Sequence, residues 1–382
     1  MQQPPARPGD PIDTIDTPAL VLDLEAFDEN VAAMAAEATR LGVALRPHAK
    51  SHKCAAIAQR QIEAGAVGIC VQKIGEAAAF ADAGIDDILV CNELVGAAKI
   101  EQLVALASRI RIAACVDDAS NAAQIARAAR EAGVVVSLLI EVDVGSGRCG
   151  VRPGAPVVAL AQAICASSHL AFAGILAYQG GAQHIRQVHA RREAAEAAIA
   201  RARGAVEALA AAGIDCPIVT GAGTGTFAHE GASGVYTEIQ PGSYVFMDVD
   251  YSRNEWASLP FRQSLFVQTR VMSTSVPGQA IVDAGLKALA FDSGMPLVLE
   301  TARPGAARLS ARTSESLSYA KASDEHGTIR FGVEAAQPVH GHLLRLIPGH
   351  CDPTVNLYDW IVGIRADRVE AVWPIEARGR LA

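Results

Sequence analysis

VALRPHAKSHKCAAIAQRQIEAGAVGICVQKIGEAAAFADAGIDDILVC, residues 43–91, holds the alternation that decides the fold. An apolar run, VALRPH (43–48), gives way to an Ala-rich stretch with helical spacing. A second run, GICVQ (68–72), is followed by GEAAAFADAG, and a third, DILVC (87–91), closes the stretch. Continuous apolar runs, rather than alternating ones, fit a parallel sheet covered by helices. Outward from this stretch the pattern continues to about residue 245. Its further strands are RIAACV (111–116), VSLLIEV (136–142), AGILAY (173–178), PIVT (217–220) and TEIQ (237–240). Helical segments between them end at Gly65, Gly84, Gly133 and Gly213, as left-handed C′ residues do. Eight strands alternating with helices is the count for a closed (β/α)8, TIM-type α/β barrel. A doubly wound open sheet is the alternative, and the lack of a GxGxxG opening after the first strand weighs against it.

Beyond about residue 255 the texture changes to short extended runs. They are SLFVQTRVMSTSV (264–276), QAIVDAG (279–285), PLVLE (296–300), ARLSART (307–313), SLSYA (316–320), GTIRFG (327–332) and GHLLRLIPG (341–349). They predict a second, mostly β domain. TPALVLDL (17–24) makes a ninth strand ahead of the barrel, expected to join that second sheet. The division expected is a flexible 1–14, a joining strand at 15–25, a barrel at 26–250 and a β-rich domain at 251–382.

Composition bounds the function. Of 382 residues 51% are apolar, enough for a real core, and the net charge of −8 without any Lys/Arg block argues against a nucleic-acid groove. MQQPPARPGD has no apolar h-region, and no apolar run reaches the roughly 20 residues that cross a bilayer. The eight cysteines are scattered singly, as reduced core cysteines are. A soluble, cytoplasmic protein is expected.

In such a barrel the residues just after each strand face the active site. In chain order these are His48, Ala49 and Lys50; Gln72 and Lys73; Asn92 and Glu93; Asp117; DVGSGR (143–148); and Tyr178, Gln179, Gln183 and His184. Strand seven then opens, after Thr220, into GAGTGT (221–226), and strand eight into PGSY (241–244). A lone Asp after a strand is usually a helix cap, but eight polar mouths together are harder to dismiss. Gly221, Gly223, Thr224 and Gly225, with Gly242, Ser243 and Tyr244, form loops whose N–H groups suit a phosphate, at a recurrent barrel location. Lys50 is the natural nucleophile. His48, His52 and Lys53 nearby are expected to lower its pKa toward the neutral amine that forms imines. RPHAKSHK also reads as a solvated basic loop. A lysine opposite a phosphate cradle makes pyridoxal 5'-phosphate the economical cofactor, with Arg148 on its phenolic oxygen and Tyr178 against its ring.

His350 and Asp352 offer a nitrogen and a hard oxygen ligand two residues apart, which an extended segment places on one face, with Cys351 pointing away. Such a set suits Mn2+ or Mg2+; a structural His–Asp hydrogen bond is the competing reading. Asp324 and His326 are either further site groups or a hairpin turn.

TPALVLDLEAFDENV (17–31), RPHAKSHKC (46–54), EVDVGSGRCGV (141–151), Gly-Ser-Tyr (242–244) and HCDPTVNLYD (350–359) together resemble the D-threonine aldolase and 3-hydroxy-D-aspartate aldolase family. These are fold-type III pyridoxal phosphate enzymes related to alanine racemase and D-serine dehydratase. The resemblance spans about residues 15–380. It implies Lys50 as the Schiff-base lysine, Arg148 on the phenolic oxygen, Tyr178 beside the ring, and residues 221–226 with Ser243 and Tyr244 on the phosphate. It implies His350 and Asp352 as holders of a divalent metal, where the related dehydratases carry His-x-Cys, and His184 near the substrate hydroxyl. It also implies a homodimer. Gln179 departs from the histidine usual after the ring tyrosine, which leaves the hydroxyl base open.

The implied reaction is retro-aldol cleavage of a D-3-hydroxy-amino acid, such as D-threonine or 3-hydroxy-D-aspartate, to glycine and an aldehyde. A D-serine or 3-hydroxyaspartate dehydratase releasing ammonia is the alternative. A racemase would need a second base on the opposite ring face. Single-barrel cofactor-carrying proteins lack the β domain and the His-x-Asp pair.

Overall fold

The computed structural model describes residues 3–257, 261–299, 317–332 and 337–382. Its first strand, β1 (Ala19–Asp23), is buried throughout. Asp23 ends the strand and starts a helix, its Oδ1 accepting from Glu25 N at 3.0 Å and Ala26 N at 3.1 Å, the N-cap arrangement. That helix, Leu24–Leu41, buries Phe27, Val31, Met34 and Ala38 at helical spacing.

Eight strands then alternate with helices: β2 (Ala44–Leu45), β3 (Ile69–Val71), β4 (Asp87–Glu93), β5 (Arg111–Val116), β6 (Val136–Glu141), β7 (Leu170–Ala177), β8 (Ile218–Gly221) and β9 (Glu238–Ile239). They pair in parallel in the order β2-β9-β8-β7-β6-β5-β4-β3. The sheet closes between β2 and β3: Val67 N donates to Leu45 O and Cys70 N to Pro47 O, both at 2.9 Å, and His48 bridges Cys70. This is the closed barrel expected from the alternation. Gly65, Gly84, Gly133 and Gly213 all take positive φ, from 68° to 108°, where a side chain would be strained.

Cys70, Leu89, Cys91, Cys115, Leu139 and Leu176 fill the barrel interior. Arg46, just after β2, bonds Glu238 at 2.9 Å and Asp87 at 2.7 Å, the first residues of β9 and β4, so these charges are paired. All eight cysteines are free thiols, five of them buried.

The second sheet comprises β1 with β10 (Leu265–Ser273), β11 (Gln279–Val282), β12 (Leu297–Leu299), β13 (Leu317–Ala322), β14 (Gly327–Phe331), β15 (Leu343–Ile347), β16 (Trp360–Arg365) and β17 (Arg368–Pro374). β1 lies between antiparallel β10 and parallel β16, so the chain enters this sheet before it builds the barrel. The run at 307–313 lies outside the described residues. Residues 3–14, expected to be loose, are instead held. Gly9 N donates to Val369 O at 2.8 Å and Val369 N to Asp10 O at 2.9 Å. Ala6 and Ile15 pack with Ala19, Val21, Val362, Ile364 and Val369. A few apolar side chains on a sheet face outweigh the Pro-rich composition. No helix among the described residues is long and apolar enough to cross a membrane.

Candidate active site

The loop after β2 carries Lys50 in a single 3₁₀ turn, Ala49–Ser51, whose start is capped by His48 Nδ1 accepting from Lys50 N at 3.4 Å. Two neighbouring loops brace it. His48 N donates to Pro241 O at 3.0 Å. A Cβ on Gly242 would stand 2.9 Å from His48 O, so only glycine permits this approach. The loop after β9 is in turn tied to the glycine-rich loop, Tyr244 N donating to Thr224 Oγ1 at 3.1 Å. Inside that loop Gly225 N donates to Gln183 Oε1 at 2.8 Å, and Gln183 Nε2 to Thr226 Oγ1 at 2.8 Å. Lysine turn, glycine-rich loop and Gly-Ser-Tyr loop therefore form one hydrogen-bonded rim. Strain concentrates there. Lys53, Ala222 and Met247 are three of the four non-glycine residues with positive φ among those described, at 52°, 65° and 54°.

We expect Gly242→Ala to force the lysine turn outward. An overpacked backbone contact costs about 1–3 kcal/mol, so the variant should lose stability of about that size, as read by chemical denaturation against the parent.

The charge state of Lys50 differs from the sequence expectation. Burial holds His48 well below its usual range and pushes His52 down to about 3, so both rings are neutral. Lys53 forms an ion pair with Glu76. The expected ring of cations is absent. Lys50 Nζ instead pairs with the Asp352 carboxylate. Burial acts to lower the Lys50 pKa, but Asp352 beside it wins and the ammonium is held above its ordinary value. Burial likewise acts to raise Asp352, and the Lys50 and His350 charges hold it below the usual carboxylate range.

The segment around Asp352 is not extended. His350 is the N-cap of a short helix, Cys351–Val355, with Asp352 in its first turn. Cys351 does not point away either: its buried thiol lies 3.3 Å from Asp352 Oδ1, because successive helical residues turn by only about 100°. Cys351 N donates to Asp248 Oδ2 at 2.9 Å, and His350 Nδ1 lies 2.7 Å from Asp292 Oδ2. Asp324 and His326 belong to the β13–β14 hairpin turn, where Ser323 N donates to His326 O at 2.8 Å.

Around the mouth, Gln72 Nε2 lies 2.9 Å from His48 Nε2, and the Gln72 carbonyl accepts from Asn92 Nδ2 at 3.1 Å. Tyr178 is half-buried within the fields of the Lys50 and Arg148 cations, and burial raises its phenol above the ordinary value. His184 Nδ1 bonds the Asp250 carboxylate, and Arg186 binds the same carboxylate. Burial acts to raise Asp250, but Arg186 and His184 hold it down and anionic. Two phosphate candidates have committed side chains. The Thr220 hydroxyl donates to Glu238 Oε1 at 2.8 Å, and the Tyr244 hydroxyl accepts from Gln61 Nε2 at 3.0 Å in the core. Neither side chain is therefore free for a ligand, and Tyr244 N is spent on Thr224 Oγ1. Gln179 turns its Oε1 to Gly181 N at 3.1 Å, spending its amide on loop structure.

Asp248, Asp250, Tyr251 and Asp292 were not singled out from the sequence. The first three follow the eighth strand in FMDVDY (246–251), a few residues past the loop that was read.

Residues 22–250 match the family described as "Alanine racemase, N-terminal domain", and residues 264–364 that described as "Putative serine dehydratase domain". The chain is 48% identical over 377 residues to a D-threonine aldolase of Arthrobacter sp, covering 98% of this chain and 96% of that protein. It is 42% identical to a 3-hydroxy-D-aspartate aldolase of Paracoccus denitrificans (strain Pd 1222), covering 98% and 95%. The crystal structure of D-threonine aldolase from Filomicrobium marinum matches with a TM-score of 0.94 at 44% identity, with 100% of both chains covered. A D-threo-3-hydroxyaspartate dehydratase of Delftia sp. (strain HT23) stands further off, at 32% identity over 94% of this chain and 97% of that one. Fold, sequence and the arrangement of the mouth agree: the chain belongs to the alanine racemase-like family of D-threonine and 3-hydroxy-D-aspartate aldolases, and it is a lyase.

Proposed function

We propose that this enzyme cleaves D-3-hydroxy-amino acids of the D-threonine and 3-hydroxy-D-aspartate type to glycine and an aldehyde, using pyridoxal phosphate on Lys50 and a divalent cation, Mn2+ or Mg2+, at His350 and Asp352. The observation that carries the reading is the continuous rim joining the lysine turn to both glycine-containing loops, with Asp352 from the second domain set against the lysine amine.

The residues present fit both groups. The close approach at Gly242 keeps the amine-bearing turn against the Gly-Ser-Tyr loop, and Tyr244 N ties that loop to the glycine-rich loop, a kind of turn that can cradle a phosphate. The largely buried Asp352 carboxylate, two residues from the His350 imidazole, would hold a divalent cation with a nitrogen-and-oxygen donor set suited to Mn2+ or Mg2+. Pyridoxal phosphate supplies, when bound, an electron sink for the pair left on Cα, and the divalent cation supplies Lewis acidity at the β-hydroxyl.

The chain's own residues do the rest. Lys50 anchors at one end of the rim, and Arg148 and Tyr178 flank the space beside it. Asp250, kept anionic by Arg186, accepts a hydrogen bond from His184 Nδ1, which would leave Nε2 as the proton acceptor. His184 is thus the base we assign, and Gln179 is not. Asp250→Asn should disturb this tautomer and lower kcat roughly 100-fold, the low end of what general-base catalysis contributes, with cofactor absorbance unchanged. Loss of that absorbance would show a structural role instead.

The reading includes a cytoplasmic homodimer. The eight free thiols agree with a reducing compartment, and the dimer is carried over from the resemblance. Incubation with D-threonine or 3-hydroxy-D-aspartate and Mn2+ should yield equimolar glycine and the matching aldehyde. Ammonia with a 2-oxo acid would instead establish a dehydratase.

A further inference from the structure

We infer that Glu141, backed by Glu93, is a positioning residue that holds the Arg148 guanidinium at the barrel mouth. The inference rests on the cofactor reading above, in which Arg148 meets the cofactor's anionic oxygen. Glu141 ends β6 and is buried, and Arg148 returns to it after the DVGSGR loop, NH2 donating to Glu141 Oε1 at 3.4 Å. The guanidinium is half exposed, at 52%, while the carboxyl is 6% exposed, so the acid anchors and the cation projects.

The loop between them is pinned on both sides. Asp143 Oδ1 accepts from Gly145 N at 2.9 Å and Gly147 N at 3.1 Å, and Asp117 Oδ2 accepts from Gly150 N at 3.0 Å. With its backbone fixed, the remaining freedom of Arg148 is in its long side chain, which loses several rotamers only if something grips the head group. Glu141 is the acid in hydrogen-bond contact with it; Asp117 is occupied by Gly150.

Glu93, at the end of β4, accounts for the stability of that grip. Its carboxylate lies close enough to act on Glu141. Burial and Glu93 push the Glu141 carboxyl up to about 8, while Arg148 pulls the other way. Glu93 Oε1 is buried with no hydrogen-bond partner among the described residues. An orphan oxygen of this kind is costly in a core that serves packing alone. The Cys149 thiol also faces Glu93.

The test uses the full-length holoenzyme, with pyridoxal phosphate dissociation constants from absorbance titration and Tm as the control for folding. Glu141→Leu removes the acceptor and should weaken cofactor binding about tenfold, the lower range for loss of a supporting partner, with kcat falling more than KM rises. Glu141→Gln keeps an acceptor for Arg148 and should recover most of the loss. Adding Glu141→Leu to Arg148→Gln should cost no more than Arg148→Gln alone, because the first acts through the second. Multiplicative losses in the double variant, or wild-type binding by Glu141→Leu, would overturn the role given to Glu141. A wild-type enzyme that shows no imine absorbance with pyridoxal phosphate would contradict the cofactor reading itself, a result separable from either of those.

Discussion

Lys50→Ala should fold normally, show no imine absorbance with pyridoxal phosphate and lose roughly a thousand-fold or more of its lyase activity, as removal of a covalent nucleophile does. The size of the loss follows from where Lys50 sits. Its amine is the one lysine nitrogen in contact with Asp352, and its turn is braced by Pro241 and Gly242. The other lysine of the same loop cannot substitute, since Lys53 is buried and paired with Glu76. Folding should survive because the Lys50 side chain is two-fifths exposed and contributes little packing. Far-UV circular dichroism and Tm check the fold, absorbance checks the imine, and glycine release checks turnover. An unchanged cofactor spectrum in this variant would remove Lys50 from its role.

Asp352→Asn is the second large effect. The substitution leaves shape nearly constant and removes one negative charge from a site that contains the Lys50 ammonium and the His350 ring. A neutral amide is a poor ligand for a hard divalent ion, so metal affinity and turnover should fall roughly 100-fold, the upper range for loss of a supporting group, or further. Chelation of the wild-type enzyme should give the same phenotype. Turnover stops, the cofactor stays bound, and added Mn2+ restores activity in the wild type but not in Asp352→Asn. Full activity after exhaustive EDTA treatment would remove the metal from the mechanism. Cofactor loss on chelation would show that the ion supports the lysine turn rather than the β-hydroxyl.

The sequence and the structure agree where local pattern dictates the outcome. The eight barrel runs are legible because most of their strand positions are buried on both faces and helices with apolar stripes lie between them, so hydrophobic spacing marks them. That Lys50, His184, Arg148 and Tyr178 follow strand ends at one mouth of the barrel is legible for a related reason, since a barrel directs strand ends toward one face. The partners of these residues were not. Lys50 and Asp352 are 302 residues apart, and His350 and Asp292 are 58 apart, so no spacing rule connects them. This is why the electrostatics of Lys50 came out with the opposite sign. Adjacent cations in the sequence suggested a lowered pKa, whereas the fold neutralises both histidines by burial and brings in a carboxylate from the other domain. The turn at 350–352 was misread as extended because two ligands at i and i+2 suit a strand, while Pro353 just inside the segment marks a helix start. The hydroxyls of Thr220 and Tyr244 illustrate a further limit: a residue in the right loop can turn its side chain into the core.

The central claim is that one lysine carries the cofactor at the rim where three loops meet. Borohydride reduction of the holoenzyme, followed by peptide mass mapping, tests it directly. The account expects a single pyridoxyl adduct, on the peptide containing Lys50; an adduct on Lys53 or Lys73 instead, or no adduct on a protein that turns over substrate, would contradict it.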